Sequence, residues 1–134
     1  MTVQVAEIIR YKGKNKYMQT EPLQQYLEKE GRSFSSFDSS CWRGYYALWE
    51  FNNNKLYLVE LVNCLFKNKV DLQNMFNQNQ EKVFANWYSG DIVIPTGELL
   101  EEGLFGIDNV YERNIILKFK NGILISEKEV DNTL

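Results

Sequence analysis

An arginine between large aromatic residues is the most distinctive chemical feature of this sequence. Arg43 lies within the run from Cys41 to Tyr45. A guanidinium group can stack on an aromatic ring or bind a carboxylate or phosphate through two hydrogen bonds. This run predicts a pocket for a nucleotide or metabolite, whose candidate lining residues are Trp42, Arg43, Tyr45, Trp49, Trp87 and Tyr88. The alternative is an aromatic core in which Arg43 reaches the surface or bonds backbone carbonyls.

An acidic cluster is the second candidate for chemistry. Glu98, Glu101 and Glu102 lie close together in the chain. Two carboxyl groups in unequal environments can act as general acid and general base without histidine. A solvated acidic loop is the simpler interpretation, because runs of charge usually face water.

The residue types that most enzymes need are missing from this chain. Histidine is absent, which excludes Ser-His-Asp, Cys-His and His-metal sites. No phosphate-binding loop of the Gly-x-x-x-x-Gly-Lys-Ser/Thr type occurs, and no Gly-x-Gly-x-x-Gly follows a predicted strand. Two cysteines, Cys41 and Cys64, are too few for a disulfide framework and predict buried reduced thiols. We therefore predict a protein that is not an enzyme, with no cofactor and no metal site.

Length and charge narrow the classes of protein and partner that remain. The 134 residues are 44% hydrophobic and predict a single globular domain over residues 1–134. The apolar runs are too short to cross a membrane and no secretory signal is visible, so we expect a cytoplasmic protein with no membrane partner. A net charge of −3 weighs against nucleic acid as a partner. The basic residues Arg10, Lys12, Lys14 and Lys16 flank a predicted hairpin tip, where charges keep a sheet edge soluble.

The first half of the chain predicts two hairpins and a helix. Val5 to Tyr11 and Lys16 to Gln19 are predicted strands joined by a turn at Gly13. Thr20 is a candidate N-cap, and a short amphipathic helix is expected to end at Gly31. The serine-rich segment Arg32 to Ser40 predicts a loop. The central hairpin is predicted from strands Trp42 to Phe51 and Lys55 to Val62 around three asparagines, with either Glu50 or Phe51 opposite Lys55.

The second half predicts more strands. A short helix is expected within Val70 to Phe76, and Asp91 to Pro95 is a strand that Pro95 ends or places at an edge. Glu98 to Asp108 is a predicted loop. The strand Val110 to Lys120 precedes Asn121-Gly122, the strongest hairpin signal in the chain, and Ile123 to Val130 returns. The sequence thus predicts a mainly β (α+β) fold: a strongly curved antiparallel sheet or small barrel of about seven strands with one or two short helices.

Several short runs resemble a family of small uncharacterised bacterial single-domain proteins. They are the Trp-Arg-Gly-Tyr run from Trp42, the Trp-Glu pair at Trp49, Leu-Tyr-Leu from Leu56, and the Phe-Ala-Asn-Trp-Tyr-Ser-Gly run from Phe84. The likeness extends over most of the chain. It implies one intact domain and assigns no activity and no catalytic residue.

By elimination, the leading hypothesis is a non-enzymatic protein that sequesters or inhibits a protein partner, as immunity proteins and defence modulators do. We place the partner surface on a segment in which acidic residues surround apolar ones, an arrangement typical of interfaces and suited to a basic partner. Its candidate residues are Glu98, Leu99, Glu101, Glu102, Leu104 and Phe105. The alternative is a small-ligand binding β domain that uses the aromatic residues around Arg43.

Overall fold

The computed structural model describes residues 4–35, 39–106 and 108–133, and within them every strand belongs to one sheet. The strands are β1 (Glu7–Tyr11), β2 (Lys14–Met18), β3 (Tyr45–Asn52), β4 (Lys55–Asn63), β5 (Asn68–Lys69), β6 (Val83–Phe84), β7 (Gly90–Glu101), β8 (Val110–Lys120) and β9 (Ile123–Asp131). The helices are α1 (Leu23–Glu30) and α2 (Leu72–Met75). The predicted mainly β fold with two short helices is confirmed. Of the loop predicted over Arg32 to Ser40, residues 32–35 have no regular structure and residues 36–38 lie outside the described residues.

The sheet is mixed, whereas the sequence predicted an antiparallel one. Its main path runs β2-β1-β3-β4-β9-β8-β7, and β5 and β6 pair with β4 beside that path. Every pairing is antiparallel except that of β1 with β3, which is parallel. The strand β2 ends at the end of the sheet where β1 begins. The long connection through α1 starts and finishes at that end, so β3 runs in the same direction as β1. Nine strands replace the expected seven because β5 and β6 have only two residues each.

The two outer strands, β2 and β7, approach each other at one point. The backbone N–H of Gln19 donates to the carbonyl oxygen of Val93 at 2.9 Å. Over the described ranges the sheet is nevertheless neither closed nor strongly curled, which corrects the expected strongly curved sheet or small barrel. Pro95 lies in an edge strand as predicted, but β7 continues past it to Glu101. The loop predicted from Glu98 is therefore wrong in its first four residues.

Tight turns join the long strands. Asn53 and Asn54 have φ of 53° and 61°, and Asn52 pairs with Lys55, so neither register considered from the sequence is the observed one. Asn121 and Gly122 have φ of 52° and 78°, the positive values that a type I′ turn requires. A β-carbon at Gly122 would lie 2.5 Å from the carbonyl oxygen of Ala85. Both conformation and space therefore demand glycine there.

Of the two ends predicted for α1, only the C-terminal one is observed as expected. Gly31 ends α1 in the left-handed conformation with φ of 64°, as predicted. Pro22, not Thr20, occupies the N-cap position, and no side chain caps the helix. In the second helix, the Asp71 side chain accepts a hydrogen bond from the Asn74 N–H at 3.2 Å. That cap begins the short helix predicted within Val70 to Phe76.

The two cysteines are joined, which corrects the prediction of free thiols. Cys41 and Cys64 form a disulfide with their α-carbons 6.5 Å apart. Chain folding brings them together because the N–H of Cys64 donates to the carbonyl oxygen of Gly44 at 2.9 Å, at the start of β3. Their sequence separation of 23 residues gives no sign of this contact.

Candidate functional site

The structure brings Trp42, from the predicted ligand pocket, against Phe105, from the predicted partner surface. Their rings meet edge to face with centroids 4.9 Å apart. Trp42 is 58% exposed and the neighbouring Leu104 is 62% exposed, while Phe105 is half-buried beneath them. We call Trp42, Leu104 and Phe105 the Trp42 surface.

Gln4 holds the two sides of the Trp42 surface together. Its backbone N–H donates to the carbonyl oxygen of Phe105 at 2.8 Å, and its side-chain oxygen accepts the N–H of Trp42 at 2.9 Å. The Gln4 amide nitrogen also donates to the carbonyl oxygen of Ser39. Gln4 is itself buried. Sequence reasoning missed this residue, because a polar side chain before the first strand carries no signal of such a role.

Asp108 shapes the loop that presents Leu104 and Phe105. One of its carboxylate oxygens accepts the Leu104 N–H at 3.0 Å and the other accepts the Phe105 N–H at 2.9 Å. These backbone hydrogen bonds, that of Phe105 foremost, hold the pKa of Asp108 below its ordinary value. The side chain of Asn109 accepts the Gly103 N–H at 2.7 Å. The apolar pair therefore stands on a turn whose backbone donors are satisfied.

The end of β7 extends this surface with acidic and apolar side chains. Leu99 and Leu100 are each about half exposed, at a point where the pairing of β7 with β8 shifts register. Glu101 and Glu102 are exposed between them and the loop. The N–H of Glu98 donates to the Glu112 carboxylate at 2.7 Å, which ties the strand end to β8. All six predicted partner-surface residues thus lie in one continuous segment that ends beside Trp42.

The predicted ligand-pocket residues are not gathered around one cavity. Tyr45, Trp49 and Tyr88 are buried in the core. Trp87 is half-buried, stacks on Phe76 with centroids 5.4 Å apart and donates its indole N–H to the carbonyl oxygen of Pro22. Trp42 and Arg43 line a cavity of about 310 Å³ between α1 and the turn before β3.

Arg43 binds two carboxylates, which neither interpretation from the sequence anticipated. Its Nε lies 2.7 Å from Glu21 and 3.2 Å from Glu7, and its guanidinium carbon lies 5.4 Å from the Tyr45 ring centroid. The charge on Arg43 is therefore already matched inside the protein. Its Nη2 is nevertheless buried without a hydrogen-bond partner among the described residues.

Glu7 is the buried partner in this cluster. Its second carboxylate oxygen accepts the Trp49 indole N–H at 2.7 Å, in a site with almost no solvent access. Burial raises the pKa of Glu7 to about 7, although the Arg43 charge and the Trp49 hydrogen bond oppose that rise. Glu7 alternates with Ile9 and Tyr11 along β1, so the period of two could have placed it on the core face.

Among the described residues, no group of three or more Cys, Asp or Glu side chains is arranged to hold a metal ion. Neither α1 nor α2, the two helices of the described ranges, has the length and apolar character of a membrane span.

Comparison with known proteins adds no relative: no protein-family model, curated protein or solved structure matches this chain. The resemblance noted from the sequence therefore stays a prediction.

Proposed function

We propose that this chain is a non-enzymatic binding protein that sequesters or inhibits a partner protein through the Trp42 surface and the adjoining end of β7. The observation that carries the proposal is an indole more than half exposed, held in place against Phe105 beside an exposed leucine. Tryptophan is enriched among the residues that dominate binding energy at interfaces. An isolated exposed leucine would need no explanation, but an exposed apolar group fixed on an ordered turn does.

The charge around this surface favours a basic partner. Glu98, Glu101 and Glu102 lie along its rim, exposed to solvent. Rim carboxylates speed the encounter with a positively charged partner and contribute less to the lifetime of the complex. The apolar centre should control dissociation instead.

The small-ligand alternative has weaker support. Its arginine is occupied by Glu7 and Glu21, and its largest rings fill the core. The cytoplasmic location expected from the sequence stays a prediction. The Cys41–Cys64 disulfide weighs against it, because disulfides persist in oxidising compartments.

Affinity capture from the native host, followed by binding kinetics on the captured partner, tests the proposal. Leu104→Ala should speed dissociation of the partner, while Ile125→Ala should not. Ile125 is the matched control because it is a similarly exposed aliphatic residue, 55% exposed, on β9. Glu101→Lys with Glu102→Lys should slow association at low salt, whereas Glu28→Lys with Glu30→Lys on α1 should slow it less.

Two results would overturn the proposal. One is a captured partner whose dissociation rate is the same for the wild type, Trp42→Ala and Leu104→Ala. The other is a stoichiometric small molecule released on heating the purified protein, with no protein captured. The second result would return the aromatic residues around Arg43 to first place.

A further inference from the structure

An open groove of about 610 Å³ lies at the opposite end of β1 from the Trp42 surface. The β1–β2 hairpin forms one wall, and β8 and β9 form the other. Residues that line it include Tyr11, Lys14, Lys16, Ile115, Glu127 and Glu129. This volume falls within the range of cavities that hold small organic molecules.

Lys14 and Lys16 lie on the core face of the sheet. The antiparallel register places Lys14 opposite Tyr11 and Lys16 opposite Ile9. Directly opposed residues project to the same side of a sheet, and both Tyr11 and Ile9 are buried. The two ammonium groups therefore belong to the groove wall.

The carboxylates of the groove already have partners. Glu127 accepts a hydrogen bond from the Tyr11 hydroxyl and lies 3.9 Å from Lys12 Nζ. Glu129 lies 3.2 Å from Arg113 Nε. Within the described residues, Lys14, Lys16 and the neighbouring Lys128 have no carboxylate within 4.0 Å. The groove thus has a surplus of unmatched positive charge in a protein of net charge −3.

We propose that this groove binds a small phosphate-bearing molecule. Lysine ammonium groups bind phosphate oxygens as point charges, and several unmatched lysines suit a multiply charged anion better than a single carboxylate. Ile115, half-buried in the groove wall, offers apolar surface for the organic part of the ligand. A nucleic acid is disfavoured, because the net charge of −3 weighs against contacts with a continuous phosphate backbone.

Titration with inorganic pyrophosphate at low salt, monitored through the amide chemical shifts in NMR spectra of the protein, tests the proposal. Saturable shifts are expected in the β1–β2 turn and around Glu127. Adding ADP in place of pyrophosphate measures what the organic part contributes, and adenosine serves as the uncharged control. Tighter binding of ADP than of pyrophosphate would place its organic part on Ile115, while equal binding would limit recognition to phosphate.

Paired variants distinguish binding in the groove from general charge attraction. Lys14→Gln with Lys16→Gln should weaken pyrophosphate binding about tenfold or more, because two charge-assisted contacts are lost. Lys118→Gln with Lys120→Gln makes the same charge change at the same spacing on the outer face of β8, and should change the affinity by about twofold at most. Glu127→Gln should tighten binding, because it removes a negative charge from the wall while the amide oxygen can still accept from Tyr11.

Three outcomes would overturn the proposal. The first is that neither pyrophosphate nor ADP produces saturable shifts. The second is equal weakening by the groove pair and the outer-face pair, which would indicate general charge attraction. The third is that Glu127→Gln weakens binding. Far-UV circular dichroism of each variant should match the wild type, since the substituted lysines are not in the core.

Discussion

The core face of β1 carries a polar side chain at each end, and the fold surrounds the two ends in different ways. At the first end, Glu7 is enclosed, with Trp49 on one carboxylate oxygen and Arg43 on the other. At the far end, the Tyr11 hydroxyl bonds Glu127 at the wall of an open groove. Lys14 and Lys16 face the same groove without a carboxylate partner among the described residues.

The charges around Glu7 organise the core, whereas the charges at the groove are those that we propose bind a ligand. A buried charge is tolerated when each of its polar atoms has a partner, and removing one partner is then destabilising. A charge without a partner beside a water-accessible cavity contributes little to folding. Mutations at the Glu7 end should therefore change stability, and those at the groove end should change binding.

Trp49→Ala should produce the largest effect. It empties a fully buried site and removes the donor to Glu7, so we expect a loss of about 3 to 5 kcal/mol in the free energy of unfolding, measured in urea. Trp42→Ala is the control, because that indole is largely exposed and should cost about 1 kcal/mol at most. Equal losses in the two variants would contradict the distinction between core and surface.

The stability of the wild type should fall as pH rises from about 5 to about 8. The folded-state pKa of Glu7, about 7, lies above the ordinary value of 4.5, so the folded protein binds the proton more tightly than the unfolded chain. The contribution of Glu7 to the free energy of unfolding is complete below pH 4.5 and is lost as pH rises through 7. The loss is on the order of 3 kcal/mol. Urea unfolding across this range should show the decline in the wild type and a flatter profile in Glu7→Gln. Parallel pH profiles of the wild type and Glu7→Gln would exclude a raised pKa of Glu7.

Tyr11→Phe should have a smaller effect, of about 1 kcal/mol. The substitution removes the hydroxyl that donates to Glu127 and keeps the ring that packs on Phe51. Tyr17→Phe, at a hydroxyl on an exposed ring, should leave the melting temperature unchanged. A Tyr11→Phe variant as stable as the wild type would show that the Glu127 contact is not structural.

Lys14→Gln with Lys16→Gln should change stability by about 0.5 kcal/mol or less, the smallest effect of the four. Neither ammonium group has a carboxylate within 4.0 Å in the described part of the chain. Thermal unfolding at low and high salt measures this change. A loss several times larger at low salt would mean that these lysines stabilise the fold and are not reserved for binding.

Local turn chemistry was predictable from the sequence. Asn121-Gly122 and Gly31 adopt the positive φ expected of them, because short-range sterics favour these residue types at such positions. The strand Val110–Lys120 alternates and was located with its observed bounds. Pairing between distant segments was not predictable, since the disulfide and the parallel contact of β1 with β3 depend on the path of the whole chain.

The candidate sites were predictable in part. Residues Glu98 to Glu101 were predicted to be a loop because a strand exposed on both faces shows no alternation of polar and apolar residues. Trp42 and Phe105 were each identified, but in different sets, since 62 residues of chain separate them. Glu7 was missed although its place in the alternation of β1 was visible. The lysines of the hairpin were noticed, yet only the register showed which way they face.

The disulfide also fixes the residue next to it. Trp42 follows Cys41, which is covalently bonded to Cys64, and its own N–H is held by Gln4. A side chain whose backbone is already ordered loses less conformational freedom when a partner arrives, so the entropic cost of association is small at that residue. If the proposed partner binds the Trp42 surface, reducing the disulfide should restore that freedom and weaken the complex without removing a single interfacial atom.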